Sequence, residues 1–255
     1  MTIAPGGRGE VLYEYRNGVA VVTLNAPERH NALTPSMADQ LRAVCELVDN
    51  DEQVGAAVIR GAGQSFCAGA ELGVLDRAAE DPAERERHDA LGRIYEAFVR
   101  VSRLSVPTIA AVRGAAVGAG MNLALAADLR IVATDARLMA GFLRIGVHPG
   151  GGALTLLHRI AGREAAAAIA LFGEELSGVR AWELGLAWEA LPATDVEERA
   201  LELATVAAGD PELSRLTARS LRAEAEAPMP LAIAVEYERG NQMWSLRRRA
   251  TGTAG

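Results

Sequence analysis

The chain has 255 residues, half of them apolar, enough to bury the core of one large α/β domain. Its formal charge of −7 and pI near 5.3 argue against a broad nucleic-acid surface, which needs clustered excess basic residues. All 26 basic residues are arginine, which excludes a Walker-type phosphate loop, a Schiff-base lysine and a lysine general base together.

Cys45 and Cys67 are far apart and no charged-then-apolar leader precedes them, so a reducing, cytoplasmic setting is expected. No apolar run reaches about 18 residues without charge, so no membrane partner is expected. His30, His88, His148 and His158 lack metal-ligand spacing with cysteine or carboxylate, and no metal is expected.

In chain order, Val11 to Asn25 alternates apolar and polar residues about Asn17-Gly18, which predicts a β-hairpin. A loop follows over 26–33. Pro35 suits a first helical position, and Met37, Leu41, Val44 and Val48 mark one buried face of the helix that it starts. Residues 56–60 read as a short buried strand, and a glycine-rich loop runs from Gly61 to Leu72, with Phe66 and Cys67 as its packed residues. Pro82 to Leu104 reads as an amphipathic helix with one charged face.

Then comes Val112-Arg-Gly-Ala-Ala-Val-Gly-Ala-Gly-Met-Asn-Leu-Ala-Leu-Ala-Ala-Asp128, an apolar strand entering a glycine-rich turn and an alanine-rich helix. Gly114, Gly118 and Gly120 keep side chains out of the turn, so a ligand atom can approach free N–H groups at a helix N-terminus. A tight packing turn explains the same small residues without a ligand. Val58-Ile-Arg-Gly-Ala62 recurs as Ala111-Val-Arg-Gly-Ala115, which suggests stacked strand-and-turn units whose loops open on one side.

Strands are expected at 129–133, 137–142 and 186–191, and helices after the Gly150 to Gly152 turn, at 165–171 and from Ser177 through Trp182. Asp128 reads as a buried cap at a helix end. Beyond Pro192 the pattern is purely helical, at 196–208, 211–225 and 231–248, so a core over residues 1–192 and a helical association region over 193–255 are expected.

Phe66-Cys-Ala-Gly-Ala-Glu-Leu72 followed by Gly114 to Asp128 resembles the crotonase family, the enoyl-CoA hydratase/isomerase superfamily. The likeness extends over nearly the whole chain, from Leu24-Asn25-Ala26-Pro27 and Asn31-Ala32-Leu33 to Gly146–Gly152 and Ala181–Leu186. The resemblance implies an α/β fold, a spiral of strand-strand-helix units, that binds an acyl-CoA thioester. Coenzyme A enters as part of the substrate, with no tightly bound cofactor. Residue by residue, it implies an oxyanion hole from the backbone N–H groups of Ala70 and Ala119, within Ala68-Gly69-Ala70 and Gly118-Ala119-Gly120. It places coenzyme A near Arg29, Ala32, Ala68 and Leu72, and implies a homotrimer or hexamer.

The chain departs from that pattern at the chemistry. The family's hydratases use two glutamates, and those places here hold Asn122 and Phe142. An amide orients water without taking its proton, and a phenyl ring does neither. The resemblance therefore leaves three expectations open: an enzyme with other acid/base groups, among which His148 is preferred over Glu71, Asp76 and Asp135; an acyl-CoA-binding protein without efficient turnover and with a regulatory or assembly role; or the scaffold alone, binding no coenzyme A. Neither glycine loop has the full dinucleotide-binding fingerprint.

Overall fold

A computed structural model describes residues 9–81 and 84–226 of the chain. The expected hairpin forms from β1 (Val11–Arg16) and β2 (Val19–Leu24), in antiparallel register from Val11↔Leu24 to Arg16↔Val19, with Asn17 at φ 48° in the turn. All six residues of β2 are buried, because β2 is an inner strand with neighbours on both edges. The helix α1 (Pro35–Asn50) begins where proline predicts, and Thr34 caps it by accepting from the Met37 N–H at 3.1 Å.

The main sheet continues in parallel through β3 (Ala56–Gly61), β4 (Thr108–Val112), β6 (Leu129–Ala133) and β9 (Glu189–Leu191), in the order β1-β2-β3-β4-β6-β9. A second sheet holds β5 (Ala115–Val117), β7 (Arg137–Met139) and β8 (Glu175–Ser177), in the order β5-β7-β8. Between β3 and β4 run α2 (Leu72–Glu80) and α3 (Arg85–Ser102). One strand in each sheet and then a helix makes the repeating unit: β4, β5 and α4 (Ala119–Ala126), then β6, β7 and α5 (Ala153–Ala170). The helices α6 (Gly178–Glu183), α7 (Val196–Ala208) and α8 (Pro211–Glu226) complete the described chain.

The repeated Val-Ile-Arg-Gly-Ala motif is a real structural echo. Its strands β3 and β4 are parallel neighbours, with Ile59↔Ala110 and Arg60↔Ala111, so the loops that follow leave the same edge of the sheet. The two echoed arginines share one carboxylate: Arg60 and Arg113 reach Glu197 at 2.5 and 2.7 Å. Glu197 belongs to α7, whose Val196, Ala200 and Ala204 are buried in the core. Thus α7, just past the boundary expected at residue 193, lies against the sheet.

Several expectations need correction. Asp128 is not a buried helix cap. The helix α4 ends at Ala126, and a carboxylate there would oppose the negative end of the helix dipole. Asp128 instead sits at the surface, where Oδ2 accepts from the N–H and hydroxyl of Thr108 at 2.8 Å each and meets Arg222 of α8 at 2.5 Å. The strand expected at 186–191 shrinks to β9, since the Leu186 N–H donates back to Ala181 at the end of α6. The segment 137–142 is strand only as far as Met139, and a 3-10 turn follows over Leu143–Ile145. The short strands β5 and β8 and the helix α2 were not anticipated. The break between the two helices after residue 152 lies at Gly162 (φ 79°), inside α5.

Among the described residues, no helix is long and apolar enough to cross a membrane, and no group of three His, Cys, Asp or Glu is placed to hold a metal ion. The helix expected at 231–248 lies outside the described residues.

Candidate functional site

The loop after β3 is held from below. Phe66 and Cys67 are fully buried, which places Phe66 beneath the loop as expected. The Cys67 N–H donates to Ala115 and its carbonyl accepts from Val117, both at 3.0 Å, so the loop lies alongside β5 like an added strand. This brings the two glycine loops together. Gly120, in the first turn of α4, rests on the loop so closely that a Cβ there would fall 2.1 Å from the Cys67 carbonyl oxygen. Gly69 takes φ 101°, open only to glycine at low strain, and a Cβ on it would lie 2.7 Å from the Val117 oxygen and 3.6 Å from the Ala119 nitrogen.

Ala119 is the first residue of α4, with Gly118 as N-cap, so its N–H belongs to the set that has no intrahelical partner. Ala70 follows Gly69, beside Leu33. Among the described residues no carbonyl accepts from the N–H of Ala70 or of Ala119. Two orphan donors thus flank the contact between the loops, and the positive end of α4 lies at one of them.

A third loop closes on the same place. The Ala68 N–H donates to His30 at 2.9 Å, Leu33 N–H to Gly69 at 2.7 Å and Glu71 N–H to Leu33 at 2.9 Å. Ala32, Ala68, Gly69 and Leu72 are therefore brought together, and Leu72, at 63% exposed, faces solvent at the start of α2. Arg29 is already engaged: it pairs with Glu10, reaches Glu28 at 3.1 Å and donates to the Ala32 carbonyl at 3.1 Å.

The residue that fastens these loops is Asn31. It is wholly buried at φ 57°, its Oδ1 accepts from the Ala26 N–H at 2.8 Å, and its Nδ2 donates to Ala62 and Ser65 at 2.9 and 2.8 Å. The Asn31-Ala32-Leu33 motif carried this signal without revealing the bonds.

Of the two positions where the resemblance implies glutamates, Asn122 is buried in α4 and its Nδ2 donates to the Gly150 carbonyl at 3.0 Å. Phe142 is half-buried, packs against the core and approaches Gly118, where a Cβ would lie 4.0 Å from its ring. His148 is exposed, with Nδ1 turned to its neighbour's carbonyl at Pro149, 2.8 Å away. Asp76 and Asp135 are exposed and Glu71 is half-buried. Tyr95 of α3, which sequence reasoning passed over, places its hydroxyl against Gly150. Its spacing from Leu91 and Phe98 marks it as a face residue of α3, but no pattern reveals the turn that it meets.

Burial pushes the Cys67 thiol up to about 12, so it stays protonated at neutral pH. Cys45 behaves alike, again from burial. Native protein at pH 7.5 is expected to resist iodoacetamide at both thiols and to take two labels in denaturant, as read by intact mass; one fast native label would refute the burial argument.

Fold and loops together define an α/β protein of the kind seen in solved enoyl-CoA hydratases. The structure superimposes on the crystal structure of an enoyl-CoA hydratase from Polaromonas sp. JS666 with a TM-score of 0.86 at 27% identity, covering 96% of this chain and 94% of that one. The family model for enoyl-CoA hydratase/isomerase matches residues 14–251. The chain belongs to that family. It is 46% identical over 201 residues to EchA14, a probable enoyl-CoA hydratase of Mycobacterium tuberculosis, spanning 79% of this chain and 76% of that protein. It is 35% identical over 202 residues to the 1,2-epoxyphenylacetyl-CoA isomerase of Escherichia coli, spanning 79% and 77%.

Proposed function

We propose that this protein binds an acyl-CoA thioester, polarises its carbonyl with the N–H groups of Ala70 and Ala119, and acts on the acyl chain with acid/base groups other than a glutamate pair. The observation that carries this reading is the contact of the two glycine loops through Gly69 and Gly120, beside which those two N–H groups have no acceptor among the described residues. Negative charge gathers on a thioester oxygen as it becomes enolate-like, and fixed donors stabilise it without reorganising. One such donor is worth about 2.7–4 kcal/mol.

Arg29, Ala32, Ala68 and Leu72 frame the coenzyme A in this reading, and Arg29 exchanges a carboxylate for a phosphate on binding. The reaction class is that of a lyase or isomerase, in line with the names of its relatives. A homotrimer or hexamer in the cytoplasm completes the proposal. In support of self-association, Leu143, Ile145, Phe172, Trp182 and Trp188 are all more than half exposed.

The test is a panel of saturated, unsaturated and β-oxo acyl-CoA thioesters, read by thermal shift and by product formation. At least one thioester at a hundredfold excess over its Kd is expected to stabilise the fold by about 2.7 kcal/mol. No shift with any thioester or with coenzyme A would overturn the reading. Binding without product from any member would favour the second reading, a regulatory or assembly protein, which the amide and phenyl groups at 122 and 142 support. Within the enzymatic reading, His148→Ala is expected to leave turnover within about threefold, since the exposed ring faces its own backbone. A loss of the 10²–10⁴ typical of a positioned acid or base would restore His148 to that role.

A further inference from the structure

Tyr95 lies on α3, half-buried beside Phe98, their ring centroids 6.0 Å apart. Its hydroxyl meets the turn before α5. A Cβ on Gly150 would fall 2.6 Å from Oη, and one on Gly151 would fall 3.1 Å from Cδ1. Gly150 is also the residue whose carbonyl takes the Asn122 amide. The phenol therefore reaches the turn to which α4 is tied at the place of a missing glutamate.

Among the described residues, nothing gives that hydroxyl a hydrogen-bond partner. Burial raises its pKa above the ordinary phenol value, so at neutral pH it is a proton-bearing donor and not a base. The hydroxyl is not among the buried side-chain atoms without a partner, so a ligand oxygen would take the place of water on it.

We infer that Tyr95 selects the substrate: its hydroxyl donates to an oxygen on the acyl chain beyond the thioester carbonyl, so the site takes oxygenated acyl groups in preference to plain hydrocarbon ones. This rests on the thioester reading above. Asn122, whose amide holds Gly150, stands about one helical turn past Ala119, so the oxygen is expected beyond the thioester carbonyl.

The experiment compares hexanoyl-CoA with its 3-, 4- and 5-hydroxy forms by calorimetry, on the unmodified protein and on Tyr95→Phe. At least one hydroxy form is expected to bind the unmodified protein about tenfold more tightly than hexanoyl-CoA. Tyr95→Phe is expected to erase that preference while holding hexanoyl-CoA within about twofold, because the ring still packs on Phe98 and Gly151. Gly150→Ala, which displaces the hydroxyl without deleting it, is expected to weaken the same ligand by a smaller factor. Equal binding of all four thioesters, or a parallel loss for all four in Tyr95→Phe, would overturn the role of Tyr95 and leave the thioester reading standing. A protein that bound none of the four would overturn both.

Discussion

Ala119→Pro is expected to lower turnover of the thioester by about 10²–10³-fold while leaving the fold intact. Proline suits the first position of a helix, where Ala119 stands, and its fixed φ fits there. The residue before a proline is pushed away from the α region, but Gly118 already occupies φ 53° and ψ −118°, the mirror image of the extended geometry that proline favours. The substitution removes the N–H and also puts the ring Cδ where that N–H points, so it denies the oxygen both its donor and its place. A second readout does not depend on turnover: the carbonyl of a bound thioester labelled with ¹³C should shift toward its value in free solution. Unchanged turnover together with an unchanged carbonyl shift would remove Ala119 from the oxyanion hole.

Asn31→Ala is the second large effect, this time on stability, at a cost on the order of 4 kcal/mol. Three hydrogen bonds, two buried and one partly so, vanish at once, leaving the Ala26 N–H and the Ala62 and Ser65 carbonyls without the amide. Alanine must also hold φ 57°, a left-handed conformation that costs it about 1–2 kcal/mol. Asn31→Gly separates the two causes: it should recover about 1 kcal/mol of the loss and no more. Denaturant midpoints at unchanged slope measure both. A loss below about 1 kcal/mol in Asn31→Ala would mean that water replaces the amide and that the loops do not depend on it.

The frame of the molecule was legible because its signals are local. Asn17-Gly18 flanked by alternating residues, Thr34-Pro35 before an apolar stripe and Ser177 before a short helix each state a turn or cap within a few positions. Three-residue strands such as β5 and β8 are too short to show a period, and α2 buries only Val74, so it leaves no stripe to read. Ala70 and Ala119 are named only through the resemblance of two motifs, whereas the approach of Gly69 and Gly120 beside them is a contact between loops distant in the chain. Asn31 and Tyr95 act on segments about 30 and 55 residues away. Asp128 was misread for the same reason, since its partners Thr108 and Arg222 lie on β4 and α8, 20 and 94 residues away.

The tie between Asn122 and Gly150 limits what position 122 can hold. A carboxylate has no N–H to offer, so an acid placed at position 122 would set its oxygens against the Gly150 carbonyl that accepts from the amide. The turn that also carries the Tyr95 contact would lose its hold on α4. An acid at position 122 would therefore cost the turn its tie to α4, with Phe142 still offering it no proton partner.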